Sequence, residues 1–106
     1  RRKFLKGEIY YNSPVTKEQA DKVGDMMVTM GFFNDEREVS MLLDKNKEQI
    51  YELKIIIDQD KLKEDPELIE SLKVIRLMVQ TTAFPDEEMH LHLTDNQFDT
   101  EQIIKE

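Results

Sequence analysis

The sequence predicts an α+β fold, a ferredoxin-like βαββαβ sandwich in which two helices cover one face of an antiparallel sheet, with a short extra strand at the C-terminus. Three observations carry this. Gln49–Asp58 (QIYELKIIID) sets Tyr51, Leu53, Ile55 and Ile57 on one face and Ile50 and Ile56 on the other. A strand that is apolar on both faces is usually interior to a sheet. Two other stretches, Thr16 to about Met30 and Pro66 to Phe84, repeat their apolar residues with the helical period. The resulting order, β-α-β-β-α-β and a tail, gives two right-handed crossovers joined by a hairpin. In that arrangement the strand through Tyr51–Ile57 lies between the first strand and the Arg37–Asp44 strand.

The elements follow in turn. Residues 1–6 read as a basic N-terminal lead. Gly7–Tyr11 is a strand with Ile9 and Tyr11 on one face and Glu8 and Tyr10 on the other, stopped by Asn12-Ser13-Pro14. Thr16 begins a helix, and Gln19, three residues on, completes a capping box. Ala20, Val23, Gly24, Met27 and Met30 share one helical face. Glycine inside a helix costs about 1 kcal/mol against alanine, so Gly24 implies a close approach to the sheet. Gly31 suits the left-handed residue past the helix, with Phe32 folding back toward Met27.

After the polar turn Asn34-Asp35-Glu36, Arg37–Asp44 alternates Val39, Met41 and Leu43 against Glu38, Ser40 and Leu42, a strand pattern. Lys45-Asn46-Lys47 is a connection of hairpin length. Gln59–Glu64 reads as a charged loop. Asp65-Pro66-Glu67 is a second helix start, with Asp65 as cap. Leu68, Leu72, Ile75 and Val79 form its inner stripe, and Val74 and Leu77 fall opposite. Phe84-Pro85-Asp86 ends it. Met89–Thr94 alternates Met89, Leu91 and Leu93 inward with His90, His92 and Thr94 outward. Residues 95–106 form a tail, in which Thr100–Ile104 is read as an edge strand, with a fraying helix as the alternative.

At 106 residues the chain is a single domain with one modest core. Its 23 Asp and Glu outweigh its 15 Lys and Arg, which opposes nucleic-acid binding, since phosphates demand a basic face. No run approaches the roughly 18 apolar residues of a membrane span. Cysteine is absent, removing disulfides, thiolate chemistry and Cys-based zinc sites. A start at Arg1 is expected of a fragment or a processed product. Arg1-Arg2-Lys3 has the make-up of the basic flank that follows a transmembrane helix on its cytoplasmic side, and equally of a solvated basic start. The expected location is the cytoplasm, or a membrane tether facing it, with membrane contact only through a segment upstream.

Chemistry-bearing patterns are sparse. His90 and His92 project from one strand face, and His-x-His on a strand is a metal-ligand spacing, with Glu8 or Tyr10 as third ligand from a neighbouring strand. The plain alternative is two semi-polar rings lining an open face. Asp58, Asp60, Glu64 and Asp65 resemble a calcium loop only superficially, because Lys63 and Ile69 stand where glycine and the closing glutamate are required. Ser13, Ser40 and Ser71 lack a nucleophile elbow, and Gly7, Gly24 and Gly31 form no phosphate cradle. No cofactor is implied. Met26, Met27 and Met30 read chiefly as core filler.

GEIYYNSPVTKEQADKVGDMMVTMGFF, LLDKNKEQIYELKIII, DPELIESLKVI and HLHLTDNQFDT together resemble an uncharacterised bacterial domain family across nearly the whole chain. The resemblance rests on Tyr10-Tyr11, Val15-Thr16, Gly24 and Gly31-Phe32-Phe33. It implies a domain often found after a membrane segment, and it implies no activity. Thr94 departs from it, standing where a cysteine is expected.

These readings point to a non-catalytic acidic accessory domain working by protein–protein contact or homodimerisation. The contact residues expected are Tyr10, Leu42 and Ile56 on the uncovered sheet face, joined by Val74 and Leu77 on the second helix. The alternative is a metal or small-ligand site at His90 and His92.

Overall fold

The computed structural model describes residues 1–106. A hairpin of β1 (Arg2–Phe4) and β2 (Gly7–Tyr11) leads into α1 (Lys17–Thr29), then β3 (Val39–Lys45) and β4 (Tyr51–Ile56). Next come α2 (Gln59–Glu64), α3 (Glu67–Ala83), β5 (Met89–Thr94) and β6 (Thr100–Ile104). The six strands form one sheet in simple chain order, β1 to β6. The β2–β3 and β4–β5 pairs are parallel and the other three are antiparallel. The fold is thus α+β with a mixed sheet and three helices.

This order corrects the ferredoxin-like expectation. The strand holding Tyr51–Ile56 lies between β3 and β5, so its second neighbour is β5, which runs parallel to it, and not β2. Each crossover helix returns the chain to the adjacent slot, leaving no gap for another strand to enter. The far edge of β2, where the last strand would pair in a ferredoxin-like sheet, is taken by β1. That strand lies within residues 1–6, expected only as a basic lead. Leu5 turns the hairpin at φ 58°, Phe4 packs against the core and Arg2 Nε meets Asp21 Oδ1 at 2.7 Å.

Helix α1 starts as its sequence dictates. The Gln19 N–H donates to Thr16 Oγ1 at 3.1 Å, and the Thr16 N–H to Gln19 Oε1 at 2.9 Å, so two orphan donors are satisfied reciprocally. A Cβ on Gly24 would run into the ring of Phe4, which explains the glycine: the close approach is to β1. Gly31 adopts φ 77° and ends the helix, while Phe32 and Phe33 both donate their N–H to the Met27 carbonyl.

Residues 59–64 differ from the expected loop. They form α2, because Asp58 Oδ1 accepts the Asp60 N–H at 2.9 Å and caps a short helix. Asp65 then serves as the end of α2. It offers α3 only its carbonyl, to the Leu68 N–H at 3.0 Å, and α3 has no side-chain cap. The tail forms β6 as a strand, antiparallel to β5.

The core lies between the sheet and α1 and α3. Ile9, Met41, Leu43, Leu53, Ile55, Leu91 and Leu93 meet Ala20, Val23 and Met27 of α1 and Leu72, Ile75 and Val79 of α3. Phe84, expected only to close α3, is itself buried, stacked on Tyr51 with centroids 4.4 Å apart. No helix is long and apolar enough to cross a membrane.

Candidate functional site

The face of the sheet away from α1 and α3 is fixed by strand alternation, since successive side chains point to opposite sides. Strand pairing sets the rows across it. One row runs Tyr10, Leu42, Lys54, His92 and Ile103, from β2 to β6. The next holds Glu8, Ser40, Ile56 and Thr94. His90 pairs with Glu52 in a third row.

The two histidines lie on this face yet are buried, because β4 and β6 flank them and charged side chains lean over them. His92 Nε2 lies 3.3 Å from Glu52 Oε2, and His92 Nδ1 lies 2.8 Å from Thr100 Oγ1. Burial pushes the His92 pKa below its ordinary 6.5, with Lys54 and His90 adding to the drop and Glu52 opposing it. In the neutral ring, an Nε2–H donated to Glu52 leaves Nδ1 to accept from the Thr100 hydroxyl. Glu52 is held in turn by Asn46 Nδ2 at 3.2 Å. His90 Nε2 contacts Glu88 Oε2 at 2.8 Å. The neighbour of both histidines is therefore Glu52. Glu8 and Tyr10, expected beside them, stand on β2, three strands away. No group of three or more His, Cys, Asp or Glu side chains converges as a metal site.

A second polar cluster surrounds Glu8. Partial burial opposes its ionisation. Hydrogen bonds from Ser40 at 2.9 Å and Tyr10 at 3.1 Å, with Arg1 and Lys3 nearby, outweigh that and hold its carboxyl below the usual range. Tyr10 is also met edge-on by Phe98 of the β5–β6 loop, with centroids 6.4 Å apart. The path from that loop to β2 crosses β4 and β3, so Phe98 leans over the part of the sheet carrying Ile56 and Leu42. Those two are half-buried within the single chain. Asp95 fixes the loop, its Oδ1 accepting the N–H groups of Gln97 and Asp99.

The outer side of α3 is different. Val74, Leu77 and Met78 are 54%, 55% and 39% exposed, a contiguous apolar ridge at i, i+3, i+4 spacing. Beside it a cleft of about 370 Å³ runs between the end of α1 and α3, lined by Met30, Phe32, Ser71, Val74 and Ile75 among others. A larger cleft of about 720 Å³ opens where β4 meets α2, with Arg37, Lys61, Asp58, Asp60 and Glu64 in its lining. Arg37 stacks over the Phe32 ring at 5.4 Å and borders both clefts.

Sequence reasoning missed three residues here. Phe98 sits in a stretch without periodicity. Thr100 reaches His92 only through the β6 pairing. Arg76 is buried inside α3, its Nη1 donating to Gln80 Oε1 at 2.8 Å and the Met89 carbonyl at 3.1 Å, with Nε left unpartnered. Its signal was position: it lies four residues after Leu72, within the inner stripe.

A family model described as AF_1994_N, family N-terminal domain, matches residues 4–106. No curated protein and no solved structure gives a match. With all but the first three residues covered, the chain belongs to the AF_1994_N N-terminal domain family.

Proposed function

We propose that this chain is a non-catalytic, acidic interaction domain that works by protein–protein contact, with self-association as the simplest form. One observation carries the reading: the apolar groups are left in water while the polar groups are paired within the chain. Tyr10, Val74, Leu77, Met78 and Ile103 are each more than a third exposed. His90, His92, Glu8 and Glu52 are each engaged by neighbours. Exposed apolar residues grouped on one helix mark contact surfaces more often than chemistry. The family's description as an N-terminal domain suits a module that larger chains carry. Light scattering of the purified domain over rising concentration tests this. The expected result is a mass that climbs above the monomer as concentration rises and falls back in Ile103→Lys. A strict monomer at every concentration overturns it.

A further inference from the structure

We infer that the partner in this contact is a second copy of the chain, joined edge to edge through β6, the strands antiparallel and Ile103 facing Ile103. The inference rests on the reading of the domain as an interaction module and names its partner. β6 is the last strand of the sheet, so one side of its backbone has no ladder. An unpaired edge is a template for another strand unless something blunts it.

The bulge sets the usable length. Leu93 pairs with Gln102 while Thr94 pairs with Thr100, which makes Glu101 the extra residue. Bulges interrupt regular pairing, and β6 ends at Ile104, so the regular free edge is Gln102–Ile104, with Ile103 at its midpoint and Glu101 and Lys105 flanking it. Charges on an edge ordinarily discourage pairing. Here the two have opposite signs and stand two residues to either side of Ile103. Antiparallel pairing about Ile103 therefore sets Glu101 of each copy opposite Lys105 of the other, twice over, with Gln102 opposite Ile104. Moving the register by one residue puts Glu101 opposite Ile104 or, in the other direction, opposite Glu106, and moving it by two puts Glu101 or Lys105 opposite Ile103. Opposite charges across a strand pair attract, whereas a charge facing an apolar side chain gains nothing, so only the Ile103-centred register is complementary throughout.

That register also accounts for Ile103. It lies beside His92 on the open face and is 44% exposed in the single chain. In the pair the two copies of Ile103 cover each other and extend the row Tyr10, Leu42, Lys54, His92 across the seam. The arrangement is two-fold, keeps both sets of helices on one side of a continuous sheet, and closes on itself. The contact area of so short a strand pair places it among weak, transient associations.

Sedimentation equilibrium up to ~1 mM chain, where weak dimers populate, tests this at physiological ionic strength. The chains compared are wild type, Glu101→Lys, Lys105→Glu, the double variant, and an equimolar mixture of the two single variants. Both substituted side chains are exposed, so the fold is preserved. Each single variant sets like charges opposite each other and is expected to weaken association by about tenfold. The double variant restores it. The mixture associates as well as wild type, because one chain then carries two cations and the other two anions at the paired positions. Association of the wild type with no effect of the single variants, or no recovery in the double variant, overturns the β6 pairing and leaves the interaction reading standing. A wild type that stays monomeric throughout overturns both.

Discussion

The ring of Phe4 fills the space that a side chain at position 24 would need, and that contact links the first strand to the first helix. Alanine normally stabilises a helix interior by about 1 kcal/mol over glycine. At Gly24 the sign reverses: Gly24→Ala is expected to cost about 1–3 kcal/mol through overpacking, measured by urea unfolding, and a gain in stability would refute the contact. His92 supplies a second prediction. Its folded pKa is depressed, so between that value and 6.5 the unfolded chain holds more protons and stability rises with pH. Its contribution is complete above 6.5 and is lost as pH falls through the folded value. Glu8, also depressed, acts in the same direction but below 4.5. His92→Gln should flatten the upper part of the profile alone; an unchanged slope there would show that His92 is not the group titrating. Thr16, Gln19 and Gly31 were legible in the sequence because each acts on its own neighbours. Phe4, Phe98 and Arg76 were not, since what they do depends on residues distant in the chain.

Strands and long helices declare themselves through periodicity, and four of the six strands and both long helices were readable on that ground, while β6 was read as a strand only with a helix as its alternative. Helix α2 was not, because one and a half turns hold too few residues to show a period. Strand β1 was hidden by its charges. Capping gives an element-scale test of α1. Thr16→Ala removes the acceptor for the Gln19 N–H and is expected to cost about 1 kcal/mol, read by thermal unfolding; no loss would mean the helix start is held by packing instead. The β5–β6 loop gives another. Asp95→Ala leaves the Gln97 and Asp99 N–H groups without their acceptor. Their amide exchange should accelerate, and the contact of Phe98 with Tyr10 should loosen in nuclear Overhauser spectra. Unchanged exchange and an intact Tyr10 contact would show that the loop is fixed by something other than Asp95.

At the scale of the whole molecule, strand order was the part the sequence withheld. A βαββαβ pattern fits both an interleaved sheet and a sequential one, because alternation records which face a residue takes and not which strand lies beside it. The sequential order moves the histidines away from Glu8 and Tyr10, places them beside Glu52, and makes β6 the outer edge of the sheet. Which face of the sheet His90, His92, Tyr10, Leu42 and Ile56 take was therefore legible, as was the outward placing of Val74 and Leu77, but not which side chains stand together. Contact between copies is the claim on which the functional reading turns. Amide hydrogen exchange of the wild-type chain at low and high concentration tests it most directly, since exchange reports both whether contact forms and where. Slower exchange at high concentration confined to Gln102–Ile104 is the predicted result, and identical exchange at both concentrations along the whole chain would contradict it.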